Sequence, residues 1–455
     1  MSARLRRVAA VSEMELCDTR SETSLNRPAQ ALGLWPRVLR VALPFTAAYL
    51  MSELIRNVNA VLAPILRVEF DLGPATMGLM TAAFLAALAG SQLFIGQALD
   101  RFGPKRVLVA TLILAVIASV LFALAQTSET LIAGRFLLGL GLCACWTGAY
   151  KANALWWPRE RLPLVNAMTI GAAGLGALAA TAPTEWLLGQ ISWREMFLGL
   201  AALAGGIALL IGLAVPRMPI HPATPGIATP LPVQGIRSLV FHPAFLAIVP
   251  ASALCQGAWV AYQGLWAGVW LREGMTLGSA RAAEVLFGLA LAVMAGQFMF
   301  GLLADRIART DRQLFRLTFA LTLGFVLAQV AIACSPQPFQ GMLWAGYGLF
   351  TAGPILAYAL LVRLLPDTVT GRAIALLNFG AVLTGFLLQS GLGVGIDLLV
   401  AAGWTSSASQ TALLGGSGAS SSLGVALDGN TRKGGRRCIV PQMTFPATAV
   451  RPSQS

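Results

Sequence analysis

The chain reads as an all-α integral membrane protein built from two parallel pseudo-repeats, an expectation carried by three features. Of its 455 residues, 56% are hydrophobic and only 11% are charged, where a soluble chain carries roughly a quarter charged residues. Mean hydropathy is +0.72. Apolar runs of about 20 residues, the length needed to cross a bilayer, recur along the chain. Finally, one charged motif occurs twice, about 205 residues apart: Gly96-Gln97-Ala98-Leu99-Asp100-Arg101-Phe102-Gly103-Pro104-Lys105-Arg106, and Gly301-Leu302-Leu303-Ala304-Asp305-Arg306-Ile307-Ala308-Arg309. Charges are costly in lipid, so a repeated acid–base turn between apolar spans marks a recurring loop of a duplicated membrane domain.

The elements follow in order. Residues 1–37 are polar, mixed in charge and without an apolar core, as expected of a cytoplasmic tail rather than a signal peptide. Spans near 41–65, 75–99, 107–126, 131–156, 164–188 and 195–215 make 38–215 a six-helix half. A Pro-rich connector, 216–240, follows. Spans near 241–270, 283–303, 314–335, 341–364 and 373–400 make 241–403 a second half with five evident helices. Arg161 and Asn166 after helix four are echoed by Arg372 and Asn378 after helix ten, an offset of about 211.

Arg101, Lys105, Arg106, Arg159, Arg161, Arg217, Arg237, Arg306, Arg309, Arg312, Arg316 and Arg372 fall on one side, whereas the opposite loops hold few basic residues, such as Arg67 and Arg272. Basic loops stay in the cytoplasm, so the N-terminus and the connector are expected there. Residues 404–455 are rich in Ser and Gly and basic. Their best span, Thr411 to Leu427, is interrupted by Gly415, Gly416, Ser417, Gly418 and Ser420 to Ser422. A disordered tail is expected here, in place of a twelfth helix.

Several classes are disfavoured. The net charge of +13 lies in short loops and tails, with no basic cluster interleaved with aromatics, so no nucleic-acid partner is expected. Cys143 and Cys145 are two apart in an apolar helix and make no metal pair. His221 and His242 have no carboxylate cluster beside them, and no Gly-Lys-Ser/Thr loop exists. No metal, no cofactor and no enzymatic activity are expected.

The first loop, Gly96-x-x-x-Asp100-Arg101-x-Gly103-x-Lys105-Arg106, resembles the most specific signature of the major facilitator superfamily of secondary transporters. Asp305 and Arg306 belong to its degenerate copy, which has Ala308 in place of the glycine matching Gly103. Arg135 with Gly139 and Gly141 resembles the family's second motif, and Trp193-Arg194-x-x-Phe197 a familiar start to helix six. The resemblance covers about 38–400. Helix five carries Gly171, Gly174, Gly176 and Pro183 but not the Gly-Pro-x-x-Gly-Gly run of proton–drug antiporters. The resemblance implies two six-helix bundles rocking about a central site lined by helices one, four, seven and ten. It also implies a gating role for Gly96, Asp100, Arg101, Gly103, Lys105, Arg106, Asp305 and Arg306.

Residue spacing supports those four helices independently, because residues three, four and seven apart share a face. Thr46, Tyr49, Ser52, Glu53, Arg56, Asn57 and Asn59 form a polar stripe on helix one that lipid would not tolerate. Helix four gives Arg135, Gly139, Trp146 and Tyr150; helix seven gives Ser252, Gln256, Trp259, Gln263, Trp266 and Trp270; helix ten gives Trp344, Tyr347, Thr351, Pro354 and Tyr358. The leading expectation is proton-coupled symport of a small organic anion. Arg56, helped by Arg135, attracts the anion, and Glu53 with Arg135 couples protons. Tyr49, Asn59, Tyr150, Gln256, Gln263, Tyr347 and Tyr358 offer hydrogen bonds, and Trp259 and Trp266 offer stacking area. A neutral-solute or sugar carrier, an efflux antiporter, and a non-transporting truncated or frameshifted product are the alternatives. The expected partners are a small-molecule substrate, protons and the lipid bilayer. The expected setting is a monomer in the inner membrane of a bacterium.

Overall fold

The computed structural model describes residues 33–403 apart from 159–160, 217–238, 336 and 366. Most of the expected N-terminal tail and connector, and all of 404–455, lie outside that range, as do Arg159, Arg217 and Arg237. Among the described residues eleven helices are long and apolar enough to cross a membrane. They are α1, Leu34–Asn57 continued by Asn59–Phe70; α2 and α3, which divide Pro74–Ala123 at Gly103; and α4, Ser128–Trp156. Next come α5, Leu162–Ala179 with Ala182–Leu188; α6, Trp193–Ala214; α7, Pro243–Gly274; α8, Ser279–Ile307; α9, Asp311–Cys334; and α10, Gln340–Leu364. The last is α11, Asp367–Ala401.

Local chemistry explains the ends. Gly103 sits at φ 77°, a backbone region open to glycine at little cost, and Pro104 then opens α3. Thr127, Ser192 and Thr310 each close a capping box at the start of α4, α6 and α9, where side chain and backbone three residues apart satisfy each other. Helix α1 begins at Leu34, ahead of the expected 41, and Trp35, Leu39 and Leu43 are exposed at four-residue steps on its lipid-facing stripe.

Helices α1–α6 pack as one bundle and α7–α11 as another. The bundles meet where α2 runs along α11 and where α5 meets α8. Small residues let backbones approach closely at these crossings. A methyl at Gly176 of α5 would lie 2.0 Å from the Leu50 carbonyl oxygen of α1. Between the bundles, one at Gly268 of α7 would lie 2.1 Å from the Ala60 oxygen, and one at Gly393 of α11 would lie 2.4 Å from the Pro74 oxygen.

The helices assigned to the centre share one irregularity. Each of α1, α4, α7 and α10 is broken or widened mid-span: at Val58, at Cys143, over the π-helical stretch Tyr262–Trp266, and at Thr351. Helix α5 also breaks, before Ala182.

Gly176→Ala is expected to lower stability by about 1–3 kcal/mol through overpacking. Gly199→Ala, at a position with nothing within 4 Å of the added carbon, is expected to cost nothing. Thermal unfolding of the two variants in detergent compares them directly.

Candidate functional site

The break in α1 organises the first bundle's polar groups. One turn before it, Arg56 pairs with Glu53 at i,i+3, with side chains 28% and 12% exposed. The Asn57 amide donates to the Glu53 carbonyl oxygen at 2.7 Å. Tyr49, one turn earlier on the same face, lies within electrostatic range of Glu53, Arg56 and Tyr150 of α4. Tyr150 packs edge-on against Trp146 at 5.8 Å between ring centroids, and Trp146 is exposed. This group combines a paired cation and carboxylate, two phenols and an indole.

Two residues expected at the site are committed elsewhere. Asn59 is fully buried and donates to the Thr81 hydroxyl of α2 at 2.9 Å. Arg135 is 1% exposed; one nitrogen donates to the Ile55 carbonyl oxygen of α1 at 2.9 Å, and its guanidinium lies over Phe122 and Phe197. Its remaining nitrogens, Nε and Nη2, have no hydrogen-bond partner in the structure. Arg135 therefore serves the carbonyl beside the α1 break and does not touch Glu53.

The second bundle contributes two groups. Gln256 donates to the Ser252 hydroxyl and the Pro354 carbonyl oxygen, and accepts from the Tyr358 hydroxyl at 3.3 Å. This polar network lies beside the break in α10. Tyr347 has no exposed surface. It stacks on Phe325 at 4.4 Å and contacts Trp259, Tyr262 and Trp344, leaving its hydroxyl without a partner. Gln263 is partly exposed, whereas Trp266 is buried and donates to the Gln389 carbonyl oxygen of α11 at 3.1 Å. A small cleft between α7, α9 and α10 is lined by Ser252, Phe315, Thr318, Thr322 and Pro354 among others, with no wall from the first bundle.

In the first loop, Lys151 of α4 donates to Asp100 at 2.6 Å. Lys105 instead reaches the Val215 carbonyl oxygen at the end of α6. Arg101 and Arg106 are exposed, and nothing lies within 4 Å of a carbon added at Gly96. In the second loop Asp305 and Arg306 are exposed, and Arg363 of α10 donates to the Ala308 carbonyl oxygen at 2.9 Å. Lys151 and Arg363 are about 212 residues apart, so each bundle ties its loop to the equivalent helix.

Sequence reasoning missed Gln389, which is fully buried with both amide atoms unpartnered, and Asn153, which joins α4 to Asn166 and Thr169 of α5. A polar residue in an apolar span was the available signal.

Tyr347→Phe is expected to leave thermal stability unchanged, because the lost hydroxyl is unpaired. Tyr358→Phe, which removes the bond to Gln256, should cost about 0.5–1.5 kcal/mol. Melting curves of the two purified variants distinguish these outcomes.

The sequence profile of the Major Facilitator Superfamily matches residues 45–389. A probable sulfoacetate transporter of Cupriavidus necator is 30% identical over 162 residues, covering 36% of this chain and 38% of that protein. A multidrug resistance protein of Escherichia coli is 28% identical over 177 residues, covering 39% of this chain and 44% of that protein. The matches thus span about two fifths of the length of these curated relatives. A crystal structure of a bacterial homologue of the human lysosomal transporter Spinster, inward-facing and unoccupied, superposes with a TM-score of 0.68 at 15% identity, covering 87% of this chain and 96% of that one.

Proposed function

We propose that this chain, which belongs to the Major Facilitator Superfamily, is a proton-coupled symporter of a small organic anion that works by alternating access. The observation that carries the reading is the Glu53–Arg56 pair near the middle of α1. Tyr49 lies within electrostatic range of the pair and of Tyr150, which packs against Trp146. A guanidinium held in a membrane domain binds carboxylates and sulfonates by charge and paired donors. The similarity to a probable sulfoacetate transporter supports that substrate class.

Coupling follows from competition within the pair. While Glu53 is ionised it occupies Arg56. A proton arriving at Glu53 neutralises the carboxylate and frees the guanidinium for the anion, so proton and anion load together. Release on the far side reverses both steps and restores the ion pair. Arg135, bonded to the α1 backbone, acts on the shape of α1 at the break rather than on the proton.

In this reading the halves 38–215 and 241–403 rock as bodies, the two charged loops face the cytoplasm, and the monomer sits in the inner membrane of a bacterium. Asp100 and Asp305 with their neighbouring basic residues form the cytoplasmic gate. Efflux of apolar compounds is the second reading, favoured by the similarity to a multidrug resistance protein. Competition by apolar drugs and indifference to carboxylates and sulfonates would favour it.

In proteoliposomes with an imposed proton gradient, Arg56→Gln is expected to reduce uptake of a carboxylate or sulfonate by at least about tenfold, equivalent to about 1.4 kcal/mol. Glu53→Gln should abolish gradient-driven accumulation while retaining exchange of labelled for unlabelled anion. Uptake by Arg56→Gln equal to that of the unmodified protein would sink the reading.

A further inference from the structure

The arginines on the face opposite the Gly103 turn are exceptions to the cytoplasmic bias of basic residues, and all four are paired. Arg194 of α6 binds Glu69 at the end of α1, and Arg281 binds Glu284 within α8. The other two reach across the seam. Arg67 of α1 pairs with Glu273 of α7, and Arg272 of α7 pairs with Glu185 of α5 at 3.1 Å. Arg272 also donates to the Val61 carbonyl oxygen at 3.1 Å, just beyond the α1 break. On the same face the Asp397 carboxylate of α11 accepts from the Ala75 backbone amide at 2.9 Å, capping α2 from the other bundle.

The geometry of α7 makes this crossing possible. Its last turn, Trp270–Gly274, is π-helical, and it presents the adjacent residues Arg272 and Glu273 to two different helices of the first bundle. The Gly268–Ala60 and Gly393–Pro74 approaches bring the bundles to backbone contact on this face. Towards the other end of the seam, the Asn378 amide of α11 donates to Gln92 of α2 at 3.2 Å.

We infer that Arg67–Glu273 and Glu185–Arg272 are a two-bond latch that holds the outer gate closed. The bonds have opposite polarity: the first bundle supplies the cation of one and the anion of the other. Each bundle therefore contributes no net charge to the latch, and the bundles part without leaving like charges facing each other. These are positioning residues. They set the balance between open and closed forms and do not touch the substrate. The inference rests on the reading that the two halves move as bodies.

The test uses electron–electron spin distances in the full chain, with Cys17, Cys334 and Cys438 replaced by serine. One label pair spans the outer seam (Val68→Cys with Ser279→Cys, both exposed), and a second spans the inner ends of α4 and α10 (Leu155→Cys with Val362→Cys). In Arg67→Glu, and in Glu273→Arg, the outer distance distribution is expected to shift towards longer values and the inner one towards shorter values, with a several-fold gain of the outward-open population. The charge-swapped double variant Arg67→Glu with Glu273→Arg should restore the original distributions. Unchanged distances in the single variants would overturn the latch. So would outer lengthening without inner shortening, which reports local fraying. The distances are measured without substrate, so failure of the organic-anion reading and failure of the latch are separate outcomes. If the single variants do not fold, failure of the charge-swapped Arg67→Glu with Glu273→Arg to recover native distances overturns the inference.

Discussion

A helix broken in the middle of a membrane leaves backbone groups that lipid cannot satisfy, and the structure depends on how that constraint is met. At the break in α1 the Ile55 carbonyl is served by a guanidinium from another helix, and the helix resumes at Asn59, which is anchored to α2 through Thr81. Both repairs come from inside the same bundle. With its backbone satisfied, α1 carries two charged pairs on either side of the break: Glu53–Arg56 before it, and Arg67 with its partner on α7 after it. One irregularity thus places a partly buried ion pair and the seam contacts on a single helix.

The strengths of these contacts differ in a way that suits movement. Arg135 is enclosed by two aromatic rings and holds a buried carbonyl, so losing that bond costs the full desolvation penalty of an unpaired group, about 1–3 kcal/mol. The seam pairs keep some exposure, with side chains 34% and 25% exposed in Arg67–Glu273 and 11% and 19% in Arg272–Glu185, so both reach water more readily than Arg135 does. The Arg135 bond is therefore the more expensive contact to break. In the proposed rocking, that ordering lets the two bundles separate without unfolding.

Much of the fold was legible in the sequence because a membrane imposes length and polarity together. Runs of apolar residues near 20 long cannot be much else, and a charged turn between two of them has to be a loop. The polar stripes of α1 and α7 were legible for the same reason. What those stripes faced was not. Helical spacing puts Asn59 and Glu53 in one sector, yet Asn59 is committed to Thr81 of α2. Spacing likewise groups Tyr347 with Tyr358, yet Tyr347 closes an aromatic core while Tyr358 joins a polar network one break further on. The roles of Arg67 and Arg272 were hidden too, since each finds its partner in the other half of the sequence.

The two repeats also preserve a contact while changing its chemistry. A basic side chain near the end of α4 and its counterpart on α10 both reach back to the loop of their own bundle, but Lys151 meets a carboxylate and Arg363 meets a backbone carbonyl. An exposed ion pair weakens as dissolved salt screens it, over a Debye length of about 8 Å at physiological ionic strength. A bond to a neutral carbonyl is far less sensitive. Duplication has left the molecule with one loop tether that responds to the ionic strength of the surrounding fluid and one that largely ignores it.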